Sequence, residues 1–350
     1  MTSLPITIIL PIRNEAVYIE RCLNAILSQN YPGQIEILIV DGMSTDDTRQ
    51  RIEQVIQDSS LSIRLLDNHG RIVPIGMNIA LRQAKGDIII RVDGHCLIAP
   101  DYVSNCVRHI QVDGVDGVGG PMQTIGETPL AGVIALAMSS PFGVGNSAFR
   151  TISSASMLAD TVPFPAYTRE IIQCAGLYDE ELMRNQDDEY NYRIRELGGK
   201  ILLAEDVRSQ YFSRASLRGL WRQYFQYGLY KVRVLQKHPR QMSLRQFVPP
   251  LFVLALLFSA FLVFFPATRF LSLVVPVAYL AANLAASFIT AIRAQKSNQS
   301  PFTSYHLLLP LTFAILHISY GLGFLLGLFK FWNRWGDKVG KVPAWTHESS

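Results

Sequence analysis

Three apolar segments in the last third of the chain limit what it can fold into, because none of them contains Asp, Glu, Lys or Arg. The segments are residues 248–267, 270–292 and 305–329. Each reaches the roughly 20 residues that a helix needs to cross a bilayer, and the alternative is a set of helices buried in a protein core. Prolines within the segments are compatible with insertion, because neighbouring groups can satisfy the freed backbone. We therefore predict a membrane domain over residues 248–331.

Charge divides the chain near the same place. Residues 1–206 contain 26 Asp or Glu and 16 Lys or Arg, whereas residues 207–336 contain 14 Lys or Arg and no acidic residue. A basic stretch beside apolar segments suits the anionic cytoplasmic face of a membrane, and this apolar context argues against nucleic acid as the partner. Residues 213–247 are predicted to form a basic amphipathic segment at the interface, with a helix over 217–235. The alternative is a helix packed on the preceding domain.

The N-terminal apolar run is short and breaks at Pro11 and Arg13, so it does not resemble a signal peptide. We expect the front half to stay in the cytosol, in a multi-pass protein of the cytoplasmic (inner) membrane. Three full spans would put the basic tail, residues 332–350, on the far side, although its Lys and Arg favour the cytoplasmic side. Both the tail and the loop before residue 305 lie inside only if the third segment re-enters the membrane or lies along its surface.

The first 100 residues alternate between strand-like and helix-like patterns. Strands are predicted at ITIILPI, IEILIVDG, SIRLLDN and GDIIIRVDG, and helices are predicted to begin at Asn14, Thr45 and Ile75. This βαβαβαβ order predicts an α/β domain over residues 1–212 with a mainly parallel sheet. No GxGxxG motif follows the first strand, which disfavours a dinucleotide-binding enzyme. The sequence also has no P-loop.

Two aspartates follow strands of this predicted sheet. Asp41 comes after the second strand and Asp93 after the fourth. Because ligands bind outside the carboxyl ends of parallel strands, the two acids are predicted to form one site, although each Asp-Gly pair is also a common turn.

A histidine, His95, lies two residues beyond Asp93. Carboxylate oxygen together with imidazole nitrogen suits Mn²⁺, or Mg²⁺ with water in the remaining positions. Two ligands are too few to hold a metal tightly, so a substrate diphosphate is expected to complete its shell. The alternative is a histidine on a surface loop.

Three successive acids, Asp187, Asp188 and Glu189, precede a helix-forming sequence that ends at a glycine pair. They can stabilise the helix through its dipole, or one of them can act as a general base beside an acceptor hydroxyl. Spacing alone does not choose among the three.

Four stretches of the sequence, in order, resemble the motifs of family 2 glycosyltransferases, which have a GT-A fold. They are LPIRNEAVYIERCLNAILSQNYP, LIVDGMSTDDT, GMNIALRQAKGDIIIRVDGH and NQDDEYNYRIRELGGK, and the resemblance covers roughly residues 5–230. The stretches MSSPFGVGNSAFR and ADTVPFPAYTRE, with apolar helices after them, are similar to the succinoglycan-type exopolysaccharide glucosyltransferases.

The resemblance implies a set of nucleotide-sugar contacts. The residues expected to border the nucleotide-sugar are Pro11, Arg13, Asn14, Glu15, Asp41 and Asp93. Within this set, Asp41 would bind the base, expected to be uracil. Asp93 and His95 stand at the family's DxD metal motif, with an imidazole in place of the second carboxylate.

The resemblance also implies how the acceptor is handled. Asp187 matches the general base of the family, six residues before Arg193. Asp188, Gln223 and Gln226 are expected to contact the acceptor or the diphosphate. The arginine and tryptophan of the QxxRW motif found in processive members are missing, which favours the addition of one sugar.

The resemblance therefore implies a membrane-anchored, inverting, metal-dependent hexosyltransferase. It would move one sugar from an NDP-sugar, expected to be a UDP-hexose, to a polyprenyl-linked glycan in exopolysaccharide or cell-surface polysaccharide synthesis. Membrane lipids and other assembly proteins would be its partners. Two alternatives stay open: a polyprenyl-phosphate monosaccharide synthase, and a non-catalytic membrane scaffold with a degenerate transferase domain. The presence of Asp41, Asp93 and Asp187 counts against the scaffold.

Overall fold

The computed structural model describes residues 3–59, 61–145, 147–151, 155–296 and 303–345. These residues form two compact units. The first unit comprises Met1–Gln123, Ile152–Tyr211 and Val339–Ser350, and the second comprises Thr124–Thr151 and Phe212–Lys338. Both units are discontinuous in sequence, and the contiguous domain bounds given above stay a prediction. The end of the predicted tail, residues 346–350, lies outside the described residues.

Apolar, β-branched runs form most of the strands. The strands are β1 (Ile6–Ile12), β2 (Ile35–Asp41), β3 (Ser62–Asp67), β4 (Ile88–Arg91), β5 (Cys96–Ile98), β6 (Gly117–Gly119), β7 (Met122–Ile125), β8 (Met157–Leu158), β9 (Ala166–Thr168), β10 (Ile201–Leu203) and β11 (Ser209–Phe212). One sheet has the order β3-β2-β1-β4-β9-β6-β10-β8 and a second has the order β5-β11-β7.

The larger sheet is mainly parallel. Its first four strands pair in parallel, as do β6 and β10, whereas β8 and β9 run antiparallel to their neighbours. Every residue of β1 and β4 is buried, as expected for parallel strands with both faces covered. The predicted α/β class with a mainly parallel sheet is therefore confirmed.

Helices occupy both units. They are α1 (Ile19–Leu27), α2 (Thr48–Asp58), α3 (Val73–Gln83), α4 (Tyr102–Asp113), α5 (Pro129–Met138), α6 (Pro141–Val144), α7 (Ala148–Thr151), α8 (Arg169–Ala175), α9 (Gln186–Glu196), α10 (Leu217–Lys237), α11 (Val248–Leu262), α12 (Val274–Lys296) and α13 (Leu309–Lys330). Short 3₁₀ helices cover Pro239–Gln241, Leu244–Gln246, Pro266–Leu273, Ser304–Leu308 and Trp332–Arg334.

Helices α1 and α2 begin later than the sequence predicts, because local side-chain hydrogen bonds compete with the helix. Asn14 has a positive φ of 56°, and its Oδ1 accepts the Thr45 N–H at 2.8 Å. The Asp46 carboxylate accepts the hydroxyl of Thr48 at 2.5 Å and its N–H at 3.2 Å. These bonds hold the loops after β1 and β2 together, so α1 starts at Ile19 and α2 at Thr48.

The second unit is organised around α13. Helix α10 packs closely along it, since a Cβ on Gly228 would lie 2.1 Å from the Tyr320 carbonyl and one on Gly323 would lie 2.1 Å from the Phe225 carbonyl. Helices α5, α6, α11 and α12 also pack on α13. Contact of the apolar α5 with α13 explains why residues 124–151 belong to this unit rather than to the first.

Helix α10 confirms the helix predicted over 217–235. Its two halves differ in the exposure of their charged side chains. Its first turns carry exposed Arg218, Trp221 and Arg222, as an interfacial helix would. Farther along, Lys231 and Arg233 are 4% and 0% exposed. These two cations are therefore part of the core of the second unit and not of a solvent-facing basic surface.

Among the described residues, three helical stretches are long and apolar enough to cross a membrane. They are Leu244–Leu262, Pro266–Lys296 and Ser304–Lys330. Each coincides with one of the three apolar segments that the sequence analysis singles out.

Candidate active site

The carboxyl ends of β1, β2 and β4 meet at one edge of the larger sheet, because these strands are adjacent and parallel. Asp41 is the last residue of β2, and Asp93 follows the end of β4 by two residues. Asp187 lies in the first turn of α9, about one hundred positions farther along the chain. A third residue, Arg91, brings Asp93 and Asp187 together.

Arg91 is the last residue of β4, and its side chain is only 8% exposed. Its Nε donates to Asp93 Oδ1 at 3.0 Å, Nη2 lies 2.9 Å from the same oxygen, and Nη1 donates to Asp187 Oδ1. A buried charge needs hydrogen-bonded partners of opposite charge, and the guanidinium fork can hold two carboxylates at once. Arg91 therefore joins the strand end that carries Asp93 to the first turn of α9.

Burial and the neighbouring charges both shift the pKa values of this cluster. Burial among protein atoms raises the pKa of the Asp187 carboxyl to about 6; Arg91 opposes the rise, and the charges of Asp93 and Asp188 add to it. Burial disfavours the charge on Arg91, but Asp187 and Asp93 outweigh that effect and raise the pKa of the guanidinium. The Asp187 side chain is still 33% exposed. It is thus accessible to a substrate and changes protonation near neutral pH, as a general base should.

Buried tyrosines account for the apolar surroundings of the ion pair. The rings of Tyr178 and Tyr190 stack with their centroids 4.0 Å apart, and Tyr167 lies 5.7 Å from Tyr190. Burial raises the pKa of all three hydroxyls, and Tyr167 and Tyr178 also interact with the charges of Asp187 and Arg91. The tyrosines therefore stay neutral and form an aromatic wall beside the charged pair.

The structure distinguishes among the three successive acids at the start of α9. Glu189 is 2% exposed, and its Oε1 accepts from Arg193 Nε at 2.7 Å. Arg193 in turn donates to the Leu177 carbonyl at 2.9 Å. Glu189 therefore anchors α9 to the segment after α8, and Asp187 and Asp188 remain as candidate bases.

His95 is oriented by a carboxylate. Its Nδ1 lies 2.8 Å from Glu15 Oε1, and its ring contacts the edge of Tyr211 at 5.0 Å between centroids. The glycine between Asp93 and His95 permits this arrangement, because a Cβ on Gly94 would lie 2.9 Å from Ile12 Cγ2 and 3.0 Å from Glu15 Cγ. Glu15, which the sequence analysis assigned to the nucleotide, thus supports the imidazole.

The donor atoms at this edge fit a divalent cation. A carboxylate on the Nδ1 side of a histidine is the usual support of a metal-binding imidazole, since it fixes the ring with Nε2 available. Asp93 Oδ2 makes no hydrogen bond within the part of the chain that the structure describes. The described residues contain no cluster of three or more His, Cys, Asp or Glu suited to a metal. Asp93 and His95 would therefore need ligand oxygens from a substrate.

Asp41 lies among protein donors. It is fully buried, and its carboxylate accepts from the Ser44 hydroxyl at 2.5 Å and from Arg49 Nη1 at 2.9 Å. The same Arg49 nitrogen donates to Asp67 at 2.7 Å. Arg49 of α2 therefore joins Asp41, at the end of β2, to Asp67, at the end of β3. Recognition of a nucleotide base by Asp41 stays a prediction.

The other predicted nucleotide contacts surround the end of β1. Pro11 is buried within β1 where β4 has already ended, so its missing N–H removes no bond to that strand. Arg13 and Asn14 are exposed in the loop that follows, and the Asn14 N–H donates to Ser44 Oγ at 2.8 Å. These positions border the same edge as Asp41 and Asp93, which is compatible with their predicted role.

Gln223 and Gln226 lie on α10 in the second unit. Gln223 is 5% exposed and its Nε2 donates to the Tyr227 hydroxyl at 3.1 Å. Their contact with an acceptor or a diphosphate stays a prediction, as does that of Asp188. Arg91 was not predicted as a site residue, although a charged residue in the apolar run IIIRV is a signal of a buried cation that needs partners.

Arg91→Met should lower the free energy of unfolding by roughly 3 kcal/mol at pH 8, the low end for a buried ion pair that loses one member. The variant leaves Asp93 and Asp187 charged without their cation. The loss should shrink at pH 5, where Asp187 is protonated. Urea unfolding followed by tryptophan fluorescence measures both values, with Arg91→Lys as the control that keeps the charge. A stability for Arg91→Met equal to that of the wild type at pH 8 would contradict the assigned pairing.

Comparison with known proteins places the chain in a family. The model for glycosyl transferase family 2 matches residues 7–166. The chain is 30% identical over 336 residues to the succinoglycan biosynthesis protein ExoA of Rhizobium meliloti (strain 1021), covering 95% of this chain and 98% of that protein. It is 29% identical over 240 residues to the dolichyl N-acetyl-alpha-D-glucosaminyl phosphate 3-beta-D-2,3-diacetamido-2,3-dideoxy-beta-D-glucuronosyltransferase of Methanococcus voltae, covering 66% and 74%.

A solved structure shows the same fold. The mannosyltransferase PcManGT from Pyrobaculum calidifontis, in complex with GDP-Man and Mn²⁺, has a TM-score of 0.57 at 20% identity, covering 91% of this chain and 86% of that one. The predicted GT-A fold and the resemblance to succinoglycan-type enzymes are both confirmed. The chain belongs to glycosyl transferase family 2.

Proposed function

We propose that the chain transfers one sugar, with inversion, from an NDP-sugar to a hydroxyl of a lipid-linked glycan, and that Asp187 is the general base. The observation that carries this proposal is the Arg91 bridge. One buried cation contacts both the aspartate expected at the donor diphosphate and the aspartate expected at the acceptor. Donor and acceptor chemistry are therefore assigned to the same edge of the sheet.

The reaction in this proposal is a single displacement. Asp187 takes the proton from the acceptor hydroxyl, and the oxygen attacks the anomeric carbon of the donor sugar. A C–O bond forms on the face opposite to the bond that breaks, and the nucleoside diphosphate leaves with the electron pair. One base on one face gives inversion at the anomeric carbon. Arg91 orients the carboxylate of Asp187 through the ion pair described above.

The donor is proposed to be a UDP-hexose held at the carboxyl edge of the sheet. Arg13, Asn14 and Asp41 would border its nucleotide, and Asp93 and His95 would hold Mn²⁺ or Mg²⁺. A cation at this position would neutralise the charge that develops on the departing diphosphate. The supporting observations are the free oxygen of Asp93 and the support that Glu15 gives to His95. PcManGT, which has the same fold, binds a nucleotide sugar together with Mn²⁺.

The acceptor is proposed to be a polyprenyl-linked glycan at the cytosolic surface of the inner membrane. One relative takes part in succinoglycan biosynthesis and another acts on a dolichyl phosphate-linked sugar, which supports a lipid-linked glycan over a bare lipid phosphate. The three apolar helices support a site at the membrane. Asp188, Gln223 and Gln226 would contact the acceptor, and other polysaccharide assembly proteins would be partners.

A screen of nucleotide sugars tests the proposal. The purified full-length protein, in phospholipid vesicles with a polyprenyl-diphosphate-linked sugar, is given UDP-, GDP- and dTDP-sugars in turn, and the released nucleoside diphosphate is measured. We expect UDP release that depends on both the divalent metal and the lipid-linked acceptor. Release with polyprenyl phosphate alone as acceptor would favour the monosaccharide synthase. No release with any donor would support the non-catalytic scaffold.

The pH dependence of transfer should report the raised pKa of Asp187. A base must be deprotonated, so kcat/KM should fall about tenfold per pH unit below pH 6 and level off above it. An ordinary aspartate would place this limb near pH 4. Asp188→Asn should move the limb to lower pH, because it removes a neighbouring negative charge that raises the pKa. An acid limb that stays in place in Asp188→Asn and lies near pH 4 would contradict the assignment.

A further inference from the structure

The segment after α13 is built into the first unit. The Lys341 N–H donates to Asp179 Oδ1 at 2.9 Å, and the Lys341 carbonyl accepts the Glu180 N–H at 2.9 Å. Asp179 is fully buried, so these bonds belong to the interior of the unit that carries the candidate active site. The tail around residue 341 therefore lies on the same side of any membrane as the active site.

This placement limits how often the chain crosses a bilayer. A chain that begins and ends on one side crosses an even number of times. In the part of the chain that the structure describes, three helical stretches are long enough to span, so at least one of these three does not cross. The structure identifies α13 as that helix.

Helix α13 is more buried than the other two helices of spanning length. Of the most apolar stretch of its segment, 44% is buried inside the protein, against 17% and 11% for the segments of α11 and α12. Its buried face includes polar Thr312 and Ser319. Along its length lies α10, whose buried Arg233 is held by Gln236 Oε1 at 2.6 Å and by the Arg334 carbonyl at 3.2 Å. The face of α13 that packs against α10 is therefore shielded from lipid.

Helices α11 and α12, with the 3₁₀ turn between them, have the opposite character. Their exposed side chains include Leu254, Leu257, Phe258, Phe261, Phe264, Phe270, Leu273 and Val277. Between residues 248 and 292 the sequence has one charged residue, Arg269. Exposed side chains of this composition fit the hydrocarbon of a bilayer and not water. Arg269 lies in the 3₁₀ turn between the two helices.

The flanking charges agree with this division. Arg293 and Lys296 lie at the end of α12, Lys330 ends α13, and Arg334 and Lys338 follow it. If α13 does not cross, both groups lie on the side of the active site, which is the side that basic residues favour when that side is cytosolic. The basic tail then lies on the side that the charge rule predicts, whereas three full spans would place it on the opposite side.

We infer that the hairpin formed by α11 and α12 is the element that enters the bilayer, and that α13 and the tail stay on the side of the active site. The inference rests on the membrane attachment in the proposed function, but it does not depend on which side of the membrane faces the cytosol. The partner of the exposed hairpin surface is the lipid bilayer.

Cysteine accessibility tests the sidedness. Cys174 is exposed on the first unit while Cys22, Cys96 and Cys106 are buried, so the unaltered protein reports the side of the active site. Gln295→Cys and Val339→Cys, each with Cys174→Ser, report the positions before and after α13. Intact and lysed cells are treated with a membrane-impermeant maleimide, and transfer activity is measured to show that each variant folds.

All three cysteines should behave alike, protected in intact cells and labelled after lysis. Labelling of all three in intact cells would leave the inference standing and overturn the cytosolic orientation in the proposed function. A Val339→Cys variant that differs from either of the other two would overturn the inference.

A second measurement concerns the hairpin. A bimane fluorophore on Ala267→Cys, in the Cys174→Ser background, is compared with one on Val339→Cys in vesicles of phosphatidylethanolamine and phosphatidylglycerol with brominated acyl chains. The probe at residue 267 should be strongly quenched and the probe at residue 339 should not. Equal, weak quenching at the two positions would overturn the insertion of the hairpin.

Discussion

Asp187→Asn should slow sugar transfer by a factor on the order of 10²–10⁴, the usual loss when a positioned base is removed. The amide has the size of the carboxyl but cannot accept the acceptor's proton. Donor affinity should stay close to that of the wild type, because Asp93 and His95 are unchanged and Arg91 keeps its bonds to Asp93. Transfer is measured with a lipid-linked acceptor, and donor affinity is measured by calorimetry with the NDP-sugar.

Asp188→Asn is the matched control, since it makes the same change one residue away in the same helical turn. It should cost less activity than Asp187→Asn, because Arg91 holds Asp187 and not Asp188 in the assigned geometry. The reverse ranking would move the base to Asp188. Equal, small losses for both variants would mean that neither residue is the base.

The first half of the fold follows from local patterns in the sequence. Long apolar runs such as Ile6–Ile12 and Ile35–Asp41 have the length and composition of buried strands, and crossover rules make consecutive strands of this kind parallel. Strands β8, β9 and β10 were not predicted, because they have only two or three residues each. Runs that short contain no period, so tertiary pairing alone determines them.

The candidate site was predictable only where the sheet itself positions a residue. Asp41 ends β2 and Asp93 follows β4, and both strands pair in parallel with β1, so their common edge is a consequence of topology. The Arg91–Asp187 and His95–Glu15 contacts join residues 96 and 80 positions apart. Such pairs depend on the packing of α9 and of the loop after β1, and no spacing rule reports them. The sequence likewise does not separate the role of Glu189 from that of Asp187, whereas the contact of Glu189 with Arg193 in the structure does.

The proposed placement of α13 outside the bilayer depends on information that hydropathy does not contain. Hydropathy measures whether a helix is apolar, and a helix buried in a protein core is as apolar as one buried in lipid. The distinguishing information is what covers it, and α13 is covered by α10, whose Lys231 and Arg233 are buried in the same unit. The charge pattern of the flanking residues was the only signal in the sequence for this difference.

Asp93→Ala should abolish detectable transfer with either Mn²⁺ or Mg²⁺ while the protein stays folded. The change removes the one carboxylate at the proposed cation site, and Arg91 remains paired with Asp187. Donor binding should lose its dependence on the metal, which titration of the NDP-sugar with and without Mn²⁺ measures directly. Normal turnover by Asp93→Ala would show that the cation, if one is used, binds elsewhere.

His95→Asp is the companion change, and its outcome follows from the neighbour of His95. A carboxylate at this position restores a pair of acidic ligands, so transfer should persist at saturating metal. The new carboxylate faces Glu15, which lies 2.8 Å from the imidazole in the present structure, and two like charges at that distance oppose each other. The variant should therefore need more metal for half-maximal activity than the wild type, and adding Glu15→Gln should reverse that increase. If adding Glu15→Gln to the His95→Asp variant leaves the metal concentration for half-maximal activity unchanged, Glu15 does not act on residue 95 at the cation site.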